Sequence, residues 1–397
     1  MDFASSTPLH PVVARELTRV LTYYGNPSAP HKEGREAREL LEGARTDIAR
    51  TLSVKDDALL FTASGTESNN LAVFGVVEAL VERGAQYSDL HIITSQFEHP
   101  SILEPIKVLE KKGVSVSYLA STHEGFITPL AVENALTKNT VLVSIVAVQS
   151  EIGTIQPLRD ISNTLTRVRR AREQTMQHLA PESSFPIFHT DASQGSLFVD
   201  LSPDRLGVDM ASYDGQKIMG PKGIGLLYKD SSVVLAPFLR GGSQERKLRP
   251  GTPNVQGAVG MARAFTLAVE KRKERAERVA HIRDHALMLI EKNIPHALVN
   301  GGVKNRIANN INISVPGTDG DYLAVLMDSF GVSISPRSAC IVSGELSHSV
   351  ASLGRGADEA QGTLRFSFAP DVSKDDVRFA VQALTRAVAL VDSKLNM

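Results

Sequence analysis

The sequence predicts an α/β fold, with a large domain of mainly parallel sheet flanked by helices and a smaller α+β domain. Two observations support this prediction. Between residues 58 and 228, short apolar runs of strand length alternate with longer amphipathic segments, which is typical of a parallel sheet with helices on both faces. Polar and glycine clusters follow most of these apolar runs, and such clusters are expected where parallel strands end beside a ligand.

The large domain is predicted over residues 12–256, and the smaller domain over residues 1–11 and 257–397. Apolar runs bounded by turn residues predict strands in the large domain at residues 58–62, 90–95, 114–119, 140–148, 187–190, 208–212 and 224–228. Apolar residues at helical spacing predict helices there at residues 12–22, 33–52, 71–81, 100–112, 128–136 and 161–179. In the smaller domain we predict strands at residues 311–315, 332–334 and 363–368, and helices at residues 258–292, 319–330 and 371–392.

The composition is that of an ordinary globular protein, and it excludes several classes of partner. The 397 residues carry 43 basic and 44 acidic side chains, which gives a net charge of −1. This balance produces no global field for nucleic acid or an anionic membrane, so we expect neither as a partner. No apolar run approaches the roughly 18 residues of a membrane span, and the first residues do not have the pattern of a signal peptide.

Cys340 is the only cysteine of the chain. An internal disulfide is therefore excluded, and a reducing compartment is favoured. Because we also expect neither a leader peptide nor a membrane span, the sequence predicts a cytoplasmic protein.

Six polar side chains follow the predicted strands of the large domain. They are Thr66, His99, Gln149, Asp191, Gln194 and Lys217. Each of them alone is equally explained as an ordinary turn residue. In a parallel sheet, however, ligands bind at the carboxyl ends of the strands, and all six would lie at that edge. The sequence therefore predicts one ligand site there.

Residues 63–70 place a glycine turn between a strand and the start of an apolar helix. The first amides of a helix have no partner within the helix, so such a turn can bind an anion such as a phosphate. The groups concerned would be Gly65 and Thr66. The alternative is a plain helix cap by Ser64 or Thr66, and this segment alone does not decide between the two.

Lys217 lies in a polar, glycine-rich turn between residues 212 and 225. Glycines let the backbone pass close to a bulky group. A lysine held in such a turn can be a surface charge, a phosphate ligand or an amine that forms a Schiff base. Pyridoxal phosphate (PLP) sites combine a Schiff-base lysine, an acid beside the pyridinium nitrogen and a phosphate cup. Lys217, Asp191 and the turn at Gly65 match that set.

Two other kinds of site are disfavoured. His and Cys residues do not show the spacing of metal ligands, so we expect no metal. No Gly-x-Gly-x-x-Gly sequence follows the first strands, which argues against a dinucleotide cofactor.

Ten short motifs occur in order along nearly the whole chain. They are Asp-Phe-Ala-Ser-Ser-Thr-Pro at residues 2–8, Gly25-Asn26-Pro27-Ser28, Ser64-Gly65-Thr66-Glu67-Ser68-Asn69-Asn70, Glu98-His99, Glu151-Ile152-Gly153, Asp191-Ala192-Ser193-Gln194, Lys217 with Gly220-Pro221-Lys222-Gly223, Arg249-Pro250-Gly251-Thr252, Ser338-Ala339-Cys340 and Leu364-Arg365-Phe366-Ser367. With these motifs the chain resembles the class V aminotransferase group of fold-type I PLP enzymes. Within that group it is most similar to the cysteine desulfurases of the NifS and IscS type.

The resemblance implies how the chain holds the PLP ring. Lys217 would bind the cofactor covalently and shuttle the α-proton of the substrate. Asp191 would pair with the pyridinium nitrogen and keep it protonated. His99 would stack on the ring and act in acid–base steps, and Gln194 would bond the phenolic oxygen. Gln149 would contact the cofactor or the substrate.

The resemblance also implies a phosphate cup and a dimer. Gly65, Thr66 and Gln216 would surround the phosphate, and Thr252 would reach in from the second subunit of a homodimer. The residue before the lysine is usually His in this family, where this chain has Gln216. A phosphate-binding Ser is expected where Asp214 stands, and a carboxylate repels a phosphate unless it is paired or turned away.

The implied reaction is the conversion of L-cysteine to L-alanine. Arg365 would bind the substrate carboxylate, because a planar guanidinium fits a bidentate partner. Cys340 would attack the sulfur and carry it as a persulfide to an acceptor protein, for example a scaffold of iron–sulfur cluster biogenesis. A thiolate is the nucleophile required, and we hypothesise that Arg337 favours the thiolate of Cys340 or contacts the substrate.

The sequence leaves two alternatives open. A selenocysteine lyase or another class V PLP enzyme would share the same cofactor site, although the Ser-Ala-Cys loop argues against a plain aminotransferase. A catalytically degenerate member would keep the fold as a binding or scaffold subunit. The departures at Asp214, Gln216 and Gln149 motivate this second alternative.

Overall fold

A seven-stranded sheet forms the centre of the large domain in the computed structural model, which describes residues 1–175, 185–336 and 346–395. Its strands are β1 (Leu59–Thr62), β2 (His91–Ser95), β3 (Ser115–Leu119), β4 (Thr140–Ser144), β5 (Ile187–Asp191), β6 (Met210–Asp214) and β7 (Gly225–Lys229). They follow the spatial order β1-β7-β6-β5-β4-β2-β3. The pairs among β2 to β6 are parallel, and β7 is antiparallel to both of its neighbours. The predicted mainly parallel sheet is confirmed.

Both faces of this sheet are covered, which explains why its strands are continuous apolar runs. One face carries Leu60, Ile92, Leu142, Ile187, Met210 and Leu227, which pack into one buried cluster. The other face carries Phe61, Ile93, Val143, Phe188, Ala211 and Leu226, which belong to a second cluster. Alternate residues of each strand therefore point into different cores.

Thirteen helices are found in the described ranges. They are α1 (Pro11–Val20), α2 (Lys32–Leu52), α3 (Gly65–Val81), α4 (Pro100–Lys111), α5 (Pro129–Ala135), α6 (Leu158–Thr175), α7 (Pro203–Leu206), α8 (Val255–Val269), α9 (Arg272–Asn293), α10 (Gly320–Ser329), α11 (His348–Ala351), α12 (Ala357–Gln361) and α13 (Lys374–Leu395). Within those ranges, no helix has both the length and the apolar character that a membrane crossing requires. A proline begins α1, α4, α5 and α7, where its missing amide hydrogen costs no helical bond.

A second sheet of three antiparallel strands lies in the C-terminal part of the chain. Its strands are β8 (Leu298–Val299), β9 (Asn310–Ser314) and β10 (Thr363–Ser367), in the order β10-β9-β8. The N-terminal residues attach to its edge, because Phe3 donates its amide hydrogen to the Ser367 carbonyl at 3.1 Å and Asp2 forms a parallel bridge with Ser367. The amides of Thr7 and His10 also donate to the carbonyls of Gln216 and Met219 in the large domain, so the predicted domain division stays a prediction.

Two predicted elements are wrong. The single helix at residues 258–292 is in fact α8 and α9, because Lys271 adopts a left-handed backbone with φ 52° between them. Residues 270–275 are charged residues that favour helices, with no glycine or proline among them, so the sequence does not mark this break. The predicted strand at 332–334 is not part of either sheet, and only Ser335 bridges to Arg365. The strand β8 was missed because two residues are too short to produce a pattern.

Candidate active site

A cavity of about 190 Å³ lies at the carboxyl ends of the parallel strands. Nine of the predicted site residues line it: Gly65, Thr66, His99, Gln149, Asp191, Gln194, Gln216, Lys217 and Arg365. The prediction that the polar groups after these strands lie together is therefore correct. The small sheet contributes to the same cavity through Arg365 on β10.

Lys217 follows β6 in a short helical turn and projects its amine toward the N-terminal segment. Its Nζ donates hydrogen bonds to the carbonyls of Ala4 and Ser5, each at 2.7 Å. The Ala4 carbonyl also accepts from Nε2 of Gln194 at 2.8 Å. The N-terminal segment was not predicted to supply these contacts. Both acceptors are backbone carbonyls, and they fix the direction of the amine.

Asp191 ends β5, and hydrogen bonds hold both of its oxygens. Oδ1 accepts from the Ser193 amide at 2.9 Å, and Oδ2 accepts from Nδ2 of Asn69 at 2.8 Å. The neighbouring His189 does not neutralise this carboxylate. Burial lowers the pKa of His189 to about 4, even though Asp191 opposes the shift, so the imidazole is neutral at pH 7. Asp191 can therefore face a cationic ligand.

His99 caps α4, and this role defines its tautomer. Nδ1 accepts the backbone amide hydrogen of Ser101 at 3.1 Å, so the proton of the neutral ring is assigned to Nε2. Oγ of Ser101 lies 2.7 Å from the same Nδ1 and accepts from Nδ2 of Asn69 at 2.8 Å. Since that Asn69 nitrogen also donates to Asp191, a continuous chain of hydrogen bonds joins Asp191 to His99.

Sequence reasoning missed the two residues in the middle of this chain. Asn69 belongs to the motif at residues 64–70 but was not predicted as a site residue, and neither was Ser101. A signal for Asn69 was nevertheless available: α3 begins at Gly65, and residue 69 lies one helical turn later on the same side.

Glu98 is a buried carboxylic acid close to the same hydrogen-bond network. Glu98 is buried, and its Oε1 accepts from Oγ of Ser95 at 2.6 Å and from the Val146 amide at 2.9 Å. Burial raises the pKa of Glu98 to about 8, and the charge of Asp191 adds to the shift. Glu98 is therefore mostly protonated at pH 7.

The start of α3 is the predicted phosphate-type turn. Ser64 is its cap, since Oγ accepts from the Glu67 amide at 3.2 Å. The Gly65 amide donates to Oδ2 of Asp214 at 3.1 Å, and Oδ1 of Asp214 accepts from the Gln216 amide at 3.1 Å. The predicted cap by Ser64 is therefore confirmed, and the binding of an anionic ligand here stays a prediction. A carboxylate of the chain itself lies at the anion position.

Arg365 is almost fully buried, with 2% of its surface exposed. Its Nη2 donates to Oδ1 of Asp2 and to Oγ of Ser5, both at 2.9 Å, and Nη1 donates to the Ser150 carbonyl at 3.2 Å. Burial would raise the pKa of Asp2, but the Arg365 guanidinium and hydrogen bonds from Ser5 and Ser335 outweigh it and lower that pKa.

Gln149 lines the cavity, but its amide is used within the chain. Nε2 donates to Oγ of Ser349 at 2.8 Å and to the Phe97 carbonyl at 3.3 Å. Oε1 accepts from the amides of Glu151 and Ile152 at 2.7 and 2.8 Å. Its predicted contact with cofactor or substrate stays a prediction, and it would require one of these bonds to be exchanged.

The class V aminotransferase family model matches residues 1–379 of this chain. The chain belongs to this family. The resemblance inferred from the sequence motifs is therefore confirmed over nearly the whole length.

Individual class V relatives are similar over almost their entire length. A cysteine desulfurase IscS from Dictyoglomus turgidum is 37% identical over 390 residues, which cover 98% of this chain and 94% of that protein. A solved NifS-like protein has a TM-score of 0.87 and 29% identity, with 98% of each chain covered. A structure of SspA in complex with cysteine has a TM-score of 0.74 and 31% identity, covering 93% of this chain and 98% of that one.

The family in general uses PLP, and most of the cavity fits that group. An amine (Lys217) and a carboxylate (Asp191) line it. Within the described residues, Oδ1 of Asn69 and Nε of Arg365 are buried polar atoms without a hydrogen-bond partner. Such atoms are typical of a site that a ligand completes. The group that fits less well is Asp214, at the start of α3.

Three residues predicted for the site are not among those that line the cavity in the described part of the chain. Thr252 is exposed in the segment before α8 and does not line it, so its contact with a partner subunit stays a prediction. Cys340 and Arg337 lie outside the described residues, which stop at Pro336 and resume at Leu346.

Proposed function

We propose that this protein is a PLP-dependent cysteine desulfurase, which converts L-cysteine to L-alanine and carries the sulfur on Cys340. One observation supports it most directly: Lys217, Asp191, His99 and Arg365 line a single cavity. These are an amine, an acid, an imidazole and a guanidinium, in a chain that is 37% identical to a cysteine desulfurase over nearly its full length.

PLP, when bound, supplies an electron sink for the α-carbon of an amino acid. Lys217 would hold it covalently and then accept and return the α-proton through Nζ. Asp191 would keep the ring nitrogen protonated, and this role needs an ionised carboxylate. Hydrogen bonds from Ser193 and Asn69 hold that carboxylate in position, and the neighbouring His189 is neutral because burial lowers its pKa to about 4.

His99 and Arg365 would act on the substrate side. The assigned tautomer of His99 carries a proton on Nε2, which can be given to a leaving or developing anion. Arg365 would bind the carboxylate of L-cysteine, since that group resembles the carboxylate of Asp2 that it already binds at 2.9 Å. Substrate binding would then replace or rearrange the Asp2 contact.

The sulfur transfer would take place at Cys340. Its thiolate attacks the sulfur of the substrate, a sulfur–sulfur bond forms and the carbon–sulfur bond breaks. The electron pair of the broken bond stays with the carbon skeleton, which takes up a proton and leaves as L-alanine. The persulfide on Cys340 is then passed to an acceptor protein, with iron–sulfur cluster biogenesis as the pathway suggested by the IscS relatives.

A homodimer and a cytoplasmic location are parts of the same proposal. Thr252 would complete the phosphate cup of the second subunit, which agrees with its exposure outside its own cavity. The single cysteine is consistent with a reducing compartment.

The test supplies L-cysteine and a reductant and measures alanine and sulfide. We expect the wild type to release both in equal amounts. Lys217→Ala should lose the visible absorption of lysine-bound PLP and all turnover, and Cys340→Ala should lose sulfide release. The proposal fails if the wild type forms no alanine, or if Cys340→Ala retains full sulfide release.

A second function is favoured by one observation, the carboxylate of Asp214 at the phosphate position. A degenerate member of the family would keep the fold but bind no PLP. A purified protein that stays colourless with excess PLP would support this alternative. A selenocysteine lyase would instead show a higher kcat/KM for L-selenocysteine than for L-cysteine.

A further inference from the structure

Asp214 occupies a place in the cavity that an anionic ligand group would otherwise take. It ends β6, three residues before Lys217, and only 7% of its surface is exposed. Its Oδ2 accepts from the Gly65 amide at 3.1 Å and from Nε2 of Gln216 at 3.3 Å, while Oδ1 accepts from the Gln216 amide at 3.1 Å. All three donors are neutral, so these contacts do not cancel the negative charge.

The Gly65 amide is the donor that matters most here. It belongs to the first turn of α3, whose amides have no partner within the helix and lie at the positive end of the helix dipole. A Cβ on residue 65 would lie 3.2 Å from Cβ of Asp214 and 2.8 Å from Oγ of Ser193. Glycine therefore permits the close approach by which the carboxylate reaches this amide.

The basic side chains of the region have other partners. Lys217 donates to the Ala4 and Ser5 carbonyls at 2.7 Å. Arg249 is paired with Glu67 in the first turn of α3, with Nε 2.9 Å from Oε1. A phosphate at the start of α3 would therefore meet the carboxylate of Asp214, while Arg249 is paired with Glu67.

We propose that Asp214 competes with the phosphate of PLP for the start of α3 and so determines how strongly this chain holds its cofactor. The inference rests on the proposed function. Like charges repel, and the two groups share one donor, the Gly65 amide. The phosphate then contributes little to cofactor affinity, and the covalent bond to Lys217 and the contacts of Asp191 contribute most of it.

The test compares PLP with pyridoxal, which lacks the phosphate. Both are titrated into the full-length protein freed of cofactor, and binding is followed by visible absorption and by the shift in Tm. We expect the Kd values of the wild type for the two ligands to be similar. Asp214→Asn keeps the shape and the hydrogen-bond acceptor but removes the charge. It should lower the Kd for PLP at least about tenfold and leave that for pyridoxal within about twofold.

Two further variants make the result specific. Asp230→Asn is the matched control. Like Asp214, Asp230 accepts the amide hydrogen of the residue two positions later: its Oδ1 lies 2.9 Å from the Ser232 nitrogen. Asp230 does not line the cavity. This substitution should change neither Kd. Asp214→Ser is a second way to remove the charge, and it replaces the asparagine variant if that variant does not fold.

Each outcome separates this inference from the proposed function. If PLP binds through Lys217 but Asp214→Asn changes both Kd values equally, or weakens PLP, the competition is refuted and the proposed function stands. If neither ligand produces Lys217-dependent absorption in any variant, the proposed function fails and the inference fails with it.

Discussion

Arg365 and Asp2 form an ion pair at the cavity, with Nη2 2.9 Å from Oδ1, although 363 residues separate them in the chain. The guanidinium thus already binds a carboxylate where the substrate carboxylate is expected. Asp2 is held from the other side by Oγ of Ser335, which donates to its Oδ2 at 2.9 Å. Substrate binding and this ion pair are therefore linked.

We predict that Asp2→Asn lowers the KM for L-cysteine about tenfold, because the substrate no longer displaces a charged competitor and a charge-assisted hydrogen bond contributes ~1.5–3 kcal/mol. The kcat should change little. Steady-state alanine formation measures both constants. Asp375→Asn, which breaks an exposed ion pair with Arg378, serves as the control and should change neither. A rise in KM would show instead that Asp2 orients Arg365 for the substrate.

A second prediction concerns the hydrogen bonds from Asp191 to His99. We expect Asn69→Ala to lower kcat about tenfold to a hundredfold, since the Asp191 carboxylate loses a donor worth ~1.5–3 kcal/mol. The pH dependence of the bound-cofactor absorption should shift as well, which a loss of stability alone would not cause. Asn70→Ala is the matched control, because Asn70 donates to the Thr66 and Ser101 carbonyls and not to Asp191. Equal effects of both substitutions would contradict this role.

The protonated state of Glu98 leads to a prediction about pH. Its pKa of about 8 in the folded protein lies above the ordinary 4.5. Between these two values the unfolded chain has lost the proton and the native chain keeps it, so Glu98 lowers stability as pH rises, by at most ~1.4 kcal/mol per pH unit. Glu98→Gln cannot ionise. The stability of this variant relative to wild type should therefore increase from pH 5 to pH 8 in denaturant titrations.

A constant stability difference across that pH range would mean that Glu98 is already ionised in the native state. Glu78→Gln provides the comparison. Glu78 is paired with Lys112 at 2.8 Å, and although burial alone would raise its pKa, the bonds from Lys112 and Tyr87 lower it. The Glu78–Lys112 pair stabilises the fold fully above the ordinary pKa of Glu78, and this stabilisation is lost as pH falls below that value. The difference in unfolding free energy between Glu78→Gln and wild type should therefore show no trend between pH 5 and pH 8.

A fourth prediction concerns the segment that carries Thr252. Glu245 and Arg45 form a buried ion pair, with side chains 3% and 4% exposed. Glu245 also accepts from the Phe61 amide at 2.9 Å. It begins a run of three residues with positive φ, Glu245 to Lys247, which requires such an anchor. Glu245→Ala should lower the free energy of unfolding by ~3 kcal/mol, because it removes the buried partner of the Arg45 guanidinium and leaves that cation only the half-exposed Glu42.

Denaturant unfolding measures this effect, and the other partner of Arg45 provides the control. Glu42 is 52% exposed and pairs with the same guanidinium at 3.0 Å. Glu42→Ala should cost less than about 1 kcal/mol. Similar losses of unfolding free energy in the two variants would show that the Arg45–Glu245 pair does not anchor the segment that carries Thr252.

Much of the fold could be predicted from local pattern. Strands such as β4 and β5 are buried on both faces, so they stand out as apolar runs, and their carboxyl ends indicated where the cavity lies. The antiparallel direction of β7 was not predictable, because its run resembles those of the parallel strands. The break at Lys271 was also hidden, since no glycine or proline marks the change of backbone conformation there.

The site was predicted as a set of residues but not as a set of contacts. Lys217, Asp191 and His99 follow strands, so topology alone brings them together. The partners of Lys217 and Arg365 come from the N-terminal segment, more than 200 residues away in the chain, and no local pattern encodes such pairs. The sequence predicted that Asp214 would repel a phosphate, but only the structure shows that the Asp214 carboxylate accepts a hydrogen bond from the Gly65 amide.

The most direct measurement of the central claim is a single turnover with L-cysteine. The PLP-loaded protein is mixed with an equimolar amount of substrate without reductant, alanine is quantified, and the peptide containing Cys340 is analysed by mass spectrometry. We predict one alanine released for each additional sulfur atom on Cys340, and neither product with Lys217→Ala. Alanine formed without sulfur on Cys340, or no alanine at all, would contradict the account.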